Sequence, residues 1–431
     1  MGCKLNFYDS EVLAQELKAR GFERVDSHHS ADLNILNSCT VTNNSDSEAR
    51  NLIRRFRRQN PNCFVVVTGC YASADPGKVR AMEEVDFVST NAGKYDVEPM
   101  LAAFHGAGAI SQQDHDIMEK RPAEFRLLER FSCKTRAFVK IQDGCSLRCS
   151  YCIIPMVRGN NRSVAAADVL AQMRLLADGG VEEAVLTGIH LGTWGRDLRP
   201  RAQLLDLLNA LEASDLTLWI RISSLDSPEI PDELIRHLQT SRLIVPHLHI
   251  PLQSGSDATL RRMRRIYTSA QYANRVAALR QALPHACLGA DVIVGFPGES
   301  DEEFAETEAF LHRSPLDYLH VFPYSNRSGT AAAAFADQVN GRVIRNRSRA
   351  LRELSDHLRQ KHRERHAGTL RPAILLPAHG PSGPLQALTD NYIECSCVAD
   401  SNLIGRRVLL RLPLADEEAQ LVGLLGSGAG P

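Results

Sequence analysis

The apolar positions of this chain fall into two series in which short strand-like runs alternate with amphipathic helical stretches, and a third with strand-like runs alone. In the first hundred residues the runs are Asp32-Leu33-Asn34-Ile35-Leu36, Phe64-Val65-Val66-Val67 and Val85-Asp86-Phe87-Val88. Helically spaced apolar residues separate them, which predicts a doubly wound α/β domain over residues 1–105. From about His105 to Arg130 apolar density falls and charges mix without period, so residues 106–130 read as a linker. Residues 131–365 resume the alternation, with strands expected at 137–141, 183–186, 218–222, 247–250, 290–294 and 318–322. Six βα units are fewer than the eight of a closed barrel, so an open, TIM-like partial barrel is expected. A basic helix near 342–366 ends this series. Strand-like runs at 373–376, 392–394 and 407–412, set among Pro and Gly, then predict a small all-β module over residues 366–431.

Charge changes this picture through its distribution. The net charge is only -1, but Arg and Lys cluster at Arg54–Arg58, at Arg261–Arg265 and between Arg342 and His366, where nine basic residues face three acidic ones. Any one of these runs can equally be a solvated helix face. From His366 onward four basic residues face six acidic ones, a poor electrostatic footprint for RNA. There are 11 Cys, no apolar leader and no apolar run of membrane-spanning length. A cytoplasmic protein without membrane contact is expected, its Cys serving as thiols or metal ligands.

The run Cys145-Ser146-Leu147-Arg148-Cys149-Ser150-Tyr151-Cys152 carries the sharpest chemistry. Thiolates hold iron–sulfur clusters, and three of them on a four-iron cube leave one iron open. A structural zinc site wants four closed ligands, and no fourth Cys or suitably spaced His follows. An RNA-binding protein with structural metal sites is the non-enzymatic alternative. In the first domain Cys39 and Cys70 each follow an expected strand, and Cys3 precedes a helical stretch. Ligands gather at the carboxyl ends of parallel strands, so these three can converge. On the residues alone, ordinary buried thiols are the readier reading of them. Cys63 opens the strand that Cys70 closes and lies roughly 23 Å away along it, which excludes it as a fourth ligand. Cys133, Cys287, Cys395 and Cys397 are assigned to packing. In the barrel, Thr187-Gly188, Ser223-Ser224 and Pro251 to Ser256 with Gln253 follow strands and line one mouth, although each is also ordinary turn chemistry. His190 is either a substrate contact or a structural histidine.

The segments Gly2-Cys3-Lys4-Leu5-Asn6, Asn37-Ser38-Cys39-Thr40, Thr68-Gly69-Cys70-Tyr71, Cys149-Ser150-Tyr151-Cys152-Ile153-Ile154-Pro155, His247-Leu248-His249-Ile250-Pro251-Leu252-Gln253-Ser254-Gly255 and Asp291-Val292-Ile293-Val294-Gly295-Phe296-Pro297-Gly298-Glu299 together resemble the radical S-adenosylmethionine (SAM) methylthiotransferases. Gly2-Cys3-Lys4-x-Asn6, Arg221-Ile222-Ser223-Ser224, His320 to Ser325 and Thr389-Asp390-Asn391-Tyr392-Ile393 resemble the branch that modifies N6-threonylcarbamoyladenosine in tRNA. The resemblance implies that Cys145, Cys149 and Cys152 hold the [4Fe-4S] cluster that reduces SAM, producing a radical that takes hydrogen from adenine C2. It implies that Cys3, Cys39 and Cys70 hold a second, auxiliary [4Fe-4S] cluster carrying the sulfur. Thr187, Gly188, Ser224 and Gln253 would contact SAM. The implied partners are the tRNA anticodon loop, an electron donor of the flavodoxin or ferredoxin kind, and a sulfur source. The implied product is the 2-methylthio derivative at position 37; the alternatives are isopentenyladenosine in tRNA or an aspartate of a ribosomal protein. The C-terminal module resembles the RNA-binding TRAM domain. Members of the family carry a strand before the first Gly-Cys, so the expected start lies upstream of Met1.

Overall fold

The protein, here as a computed structural model, is described for all residues except 1, 27–28, 107–111, 114–116, 119–122, 130, 132–134, 379, 381–382, 415–416 and 427–428. Most of the expected linker, and Cys133, therefore lie outside the described residues. The chain forms two compact units. The first combines Met1–Leu128 with Gln142–Val164 and Ser325–Ala334; the second comprises Glu129–Ile141, Ala165–Tyr324 and Phe335–Pro431.

The first unit is built on a parallel sheet whose strands Leu33–Ser38, Phe64–Gly69, Phe87–Ser89 and Gln112–Gln113 lie side by side in chain order. The first two run in register from Leu33 opposite Phe64 to Ser38 opposite Gly69. A strand covered on both faces is apolar at every position rather than at alternate ones. Phe64-Val65-Val66-Val67 shows why. Val65 and Val67 pack with Leu36, Ile53 and Tyr71 on one face, while Phe64 and Val66 pack with Leu13, Val97 and Met100 on the other. Helix Lys4–Lys18 covers the second face and helix Asn43–Gln59 the first, the latter capped by the Thr42 hydroxyl, which accepts the Ser45 amide at 3.2 Å. Cys63 is 2 % exposed inside the first-face core. The segment 325–334 is held to the same unit through Arg327, which pairs with Asp46 at 2.8 Å and donates to Asn43 Oδ1 at 2.7 Å.

In the second unit, strands Ala137–Lys140, Glu183–Thr187 and Trp219–Ile222 form one parallel sheet, and His247–His249, Cys287–Val294 and Tyr318–Pro323 another. Parallel bridges from Ile220 to Ile244 and from Ser224 to His249 join them, giving the expected six strands in chain order. The C-terminal module is a five-stranded antiparallel sheet in which Leu370–Leu376 is central, with Leu385–Thr389 and then Glu394–Cys397 on one side and Arg407–Arg411 and then Gln420–Leu424 on the other. A bridge from Cys397 to Ala419 links its two outer strands across a core that includes Cys397 and, at its edge, Cys395. Two of these strands, Leu385–Thr389 and Gln420–Leu424, are not apparent in the sequence, and the run expected at 392–394 is displaced. Tyr392 has φ 68°, which takes it out of any strand, so pairing begins only at Glu394.

The same turn carries Thr389-Asp390-Asn391-Tyr392 to the barrel strands of its own unit. Tyr392 stacks on His247 with ring centroids 3.9 Å apart, and the Arg221 guanidinium lies 5.3 Å from the Tyr392 ring. Arg221 donates to Glu183 through Nε and Nη2, at 3.0 and 2.9 Å, and to the Asp390 carbonyl at 3.1 Å. Helix Gly341–His366 buries Leu351, Leu354, Leu358 and His362, a three-to-four-residue stripe. Arg342, Arg345, Arg349 and Arg352 are exposed, as the amphipathic pattern requires.

Candidate metal centre

Cys39 and Cys70 stand just past the carboxyl ends of the neighbouring strands Leu33–Ser38 and Phe64–Gly69, and Cys3 is the N-cap residue of helix Lys4–Lys18. Close backbone approach brings them together. Gly69, at φ +92°, lies so near the preceding strand that a Cβ there would meet the Ser38 carbonyl oxygen at 2.5 Å. A Cβ on Gly2, at φ +114°, would meet the Asn6 side chain at 2.5 Å and the Cys39 Cβ at 3.0 Å. Asn6 latches the helix onto the strand ends: its Nδ2 donates to the Ser38 carbonyl at 3.1 Å, and its own carbonyl accepts from Asn37 Nδ2 at 3.0 Å.

The electrostatics record the convergence. Cys3 is exposed as a residue, yet desolvation of its thiol pushes it up; Arg158 opposes this, and Cys70 adds to it. Burial also raises Cys39, with Cys70 and Cys3 adding to the shift. Positive charge beside Cys3 and Cys39 would favour their thiolates against these shifts. A soft three-thiol donor set fits an iron–sulfur cluster. All ten described cysteines are free of disulfides, so the sulfurs are available.

Arg158 lies at the centre of this region. It is 0 % exposed; its Nε donates to Cys70 Sγ at 3.3 Å, its Nη2 to Asn6 Oδ1 at 2.6 Å and its Nη1 to Asp143 Oδ1 at 3.0 Å. Asn91 Nδ2 is a second donor to Cys70 Sγ, at 3.5 Å. Asp9 lies 3.4 Å from Arg158 and also binds Lys94 and the Tyr95 hydroxyl, all of them buried. The sequence reading missed Arg158. Its signal was a lone arginine closing the otherwise apolar helix Ile154–Arg158, whose Val157 and Ile153 pack with Cys70.

The Cys145 run belongs to the same unit. It hangs from a two-residue antiparallel pairing of Gln142–Asp143 with Arg162–Ser163. Gly144, at φ +68°, is so close to the returning strand that a Cβ would meet the Asn160 carbonyl oxygen at 2.0 Å. The Cys145 amide donates to the Gly159 carbonyl at 3.0 Å, and the Cys152 amide to the Cys149 carbonyl at 3.1 Å. Cys145 is buried and Cys149 and Cys152 half-buried, on a backbone tied down at both ends.

The barrel residues nominated as cofactor contacts sit at strand ends. The Thr187 hydroxyl donates to the Val185 carbonyl at 3.0 Å, so its side chain serves its own strand, while Gly188 follows as half-buried backbone. Ser224 bridges to His249; Gln253, at φ 69°, is held by bonds between its backbone and Asp291 and Ile293. His190 has a structural setting, its Nε2 lying 2.8 Å from Glu229 and 3.6 Å from Asp226. Unforeseen was a line of polar side chains on the later strands. His249 lies 2.8 Å from Asp291 and 2.9 Å from the Tyr318 hydroxyl, which lies 2.9 Å from His247. Burial pushes the Asp291 carboxyl up, but His249 and His320 outweigh it and hold it below the usual range. Its signal was the spacing His247-x-His249 and Tyr318-x-His320, same-face positions on two strands.

Two family models match the chain. Residues 139–311 match the radical SAM superfamily and residues 1–90 match the uncharacterized protein family UPF0004. The fold agrees: a radical SAM methyltransferase, TsrM from Kitasatospora setae, superposes with a TM-score of 0.55 over 73 % of this chain and 72 % of its own, at 16 % identity. The protein is thus a radical SAM enzyme. The threonylcarbamoyladenosine tRNA methylthiotransferase MtaB of Bacillus subtilis (strain 168) is 40 % identical over 96 % of this chain and 92 % of its own length, and that of Aquifex aeolicus (strain VF5) is 35 % identical over 91 % and 94 %. A tRNA-2-methylthio-N(6)-dimethylallyladenosine synthase of Carboxydothermus hydrogenoformans is 31 % identical over 82 % of each chain. The chain belongs to the radical SAM methylthiotransferase family, whose cofactors are SAM and [4Fe-4S] clusters.

Proposed function

We propose that this enzyme methylthiolates C2 of N6-threonylcarbamoyladenosine at position 37 of tRNA. The observation that carries the substrate is the match, over nearly its whole length, to relatives named for that reaction, at 40 and 35 % identity. Cys145, Cys149 and Cys152 hold the cluster that reduces SAM; Cys3, Cys39 and Cys70 hold the auxiliary one. Bound there, the clusters and SAM supply one-electron radical chemistry and the sulfur and methyl groups. The chain's own part is placement. Gly144 and the Gly159 carbonyl fix the backbone under Cys145, Gly2 and Gly69 allow Cys3, Cys39 and Cys70 to approach, and Arg158 supplies the buried positive charge. Thr187 and Gly188 offer backbone, and Ser224 and Gln253 side chains, to SAM. The target base leaves its stack to react, at a lower cost in a single-stranded loop than in a duplex.

Phosphate contact falls to the exposed arginines of helix Gly341–His366 rather than to the C-terminal TRAM-like module. Arg371 of that module is spent on Asp390, and Arg407 and Arg406 on Glu182, at 2.6 and 3.5 Å. The Arg261–Arg265 run is half spent too, since Arg262 pairs with Glu303 and Arg265 with Asp226. No helix among the described residues is long and apolar enough to cross a membrane. The reaction runs in the cytoplasm, with an electron from a flavodoxin- or ferredoxin-type carrier and sulfur from a separate source. Anaerobically reconstituted protein offered anticodon stem–loops bearing either threonylcarbamoyladenosine or isopentenyladenosine tests the assignment. Methylthio product from the first alone is expected; product from the second alone would move the enzyme to the sister branch.

A further inference from the structure

The dipeptide Arg158-Gly159 reaches both cysteine sets. The Arg158 side chain donates to Cys70 Sγ at 3.3 Å, and the Gly159 carbonyl accepts the Cys145 amide at 3.0 Å. Arg158 shares its carboxylates with other cations: Lys94 is bonded to Asp9, and Arg162 lies 3.8 Å from Asp143. The place is closed to water, Arg158, Lys94 and Asp9 each being at most 4 % exposed. A buried charge is expensive unless something of opposite sign compensates it. The sulfur of Cys70, which receives both the Arg158 Nε and the Asn91 Nδ2 donors, lies where that compensation is needed.

We infer that Arg158 is a positioning residue that raises the reduction potential of the auxiliary cluster, an inference that rests on the assignment of Cys3, Cys39 and Cys70 as its ligands. One-electron reduction of such a cluster, by the carrier or by dithionite, adds one negative charge and moves no proton of the protein. A fixed cation and hydrogen bonds to a ligand sulfur favour the reduced, more negative form and so raise the potential. Water cannot screen Arg158, which makes the effect larger than that of a surface arginine. The Cys145 run meets the Arg158 side chain only at one remove, through Asp143, which accepts from both Arg158 Nη1 and the Gly144 amide, so replacing the side chain shifts its cluster's potential less than that of the auxiliary cluster. The high potential keeps the auxiliary cluster from being the harder of the two to reduce.

The test is a redox titration of anaerobically reconstituted full-length protein followed by electron paramagnetic resonance, with and without SAM, which marks the signal of the cluster assigned to Cys145, Cys149 and Cys152. Arg158→Gln is expected to lower the auxiliary midpoint by ~59 mV or more, a tenfold shift in the oxidised-to-reduced ratio for a one-electron couple. Arg158→Lys, which keeps the charge but not the fork of donors, is expected to recover part of it, and it carries the test if Arg158→Gln fails to fold. Both variants shift the SAM-responsive midpoint by less than the auxiliary one. An unchanged auxiliary midpoint, or equal shifts in both clusters, overturns the inference. Wild-type protein holding about four irons per chain rather than about eight would overturn the ligand assignment itself.

Discussion

Arg158 and Arg221 are both buried arginines, 0 and 1 % exposed, and they are used in opposite ways. Arg221 closes its charge on one carboxylate, forking Nε and Nη2 onto Glu183, and spends the rest on the Asp390 and Thr389 carbonyls. Glu183 is held below the usual carboxylate range; burial pushes it up, but Arg221 and Arg136 outweigh that. Arg158 divides its donors among a sulfur, an amide oxygen and two carboxylates already committed to other cations. The first pattern fastens the C-terminal module's turn to the barrel strands of its unit. The second sets a buried cation's donor on a thiol. Glu183 is itself shared with Arg136, so what separates the two arginines is the partner beyond their carboxylates: backbone carbonyls for Arg221, the Cys70 sulfur for Arg158.

Four outcomes break or sharpen that contrast. The largest is at the sulfur itself: Cys70→Ala is expected to abolish methylthio product and halve the iron, while SAM cleavage by the remaining cluster persists; full iron content would remove Cys70 from the ligand set. Next, Arg221→Leu leaves Glu183 buried with Arg136 as its remaining partner and should destabilise the second unit by about 3–5 kcal/mol. Urea unfolding measures this, and iron content should not change; a loss of iron would erase the distinction between the two arginines. Smaller is the effect of Arg345→Ala with Arg349→Ala, which should weaken tRNA binding and flatten its dependence on log salt by about 1 to 2 in slope. An unchanged slope would return phosphate contact to the C-terminal module. The smallest is at His366, which burial, with His362, Arg371 and Arg365, pushes down from 6.5 to about 3. The unfolded chain takes up a proton near pH 6.5 that the folded chain refuses, so this contribution is whole above 6.5 and drains away as pH falls toward 3. His366→Gln should flatten the stability profile in that window.

The sequence made the first three strands of the first sheet and the six barrel strands legible because a strand covered on both faces writes its apolar residues consecutively, as in Phe64-Val65-Val66-Val67; it missed Gln112–Gln113, which falls in the expected linker. Cys3, Cys39 and Cys70 stand at strand and helix ends in the sequence too, but those places alone favour ordinary buried thiols, and the family resemblance is what makes them candidate ligands. The sequence hid Arg158, because a lone arginine closing a short apolar helix is a faint local signal and its partners Asn6, Cys70 and Asp143 are far apart in the chain. It hid Leu385–Thr389 as well. That strand, Leu-Gln-Ala-Leu-Thr, lacks the Val, Ile and aromatic residues that mark a strand, and it gains its pairing from Leu370–Leu376 and Glu394–Cys397. Basic runs misled for a related reason: Arg262 and Arg265 look free in sequence and are ion-paired in the fold.

The reaction itself is tested most directly by liquid chromatography with mass spectrometry of nucleosides from bulk tRNA, comparing cells that lack this gene with the same cells complemented by it. The account predicts that threonylcarbamoyladenosine accumulates and its 2-methylthio form disappears in the first and returns in the second. Unchanged levels of both nucleosides would contradict it.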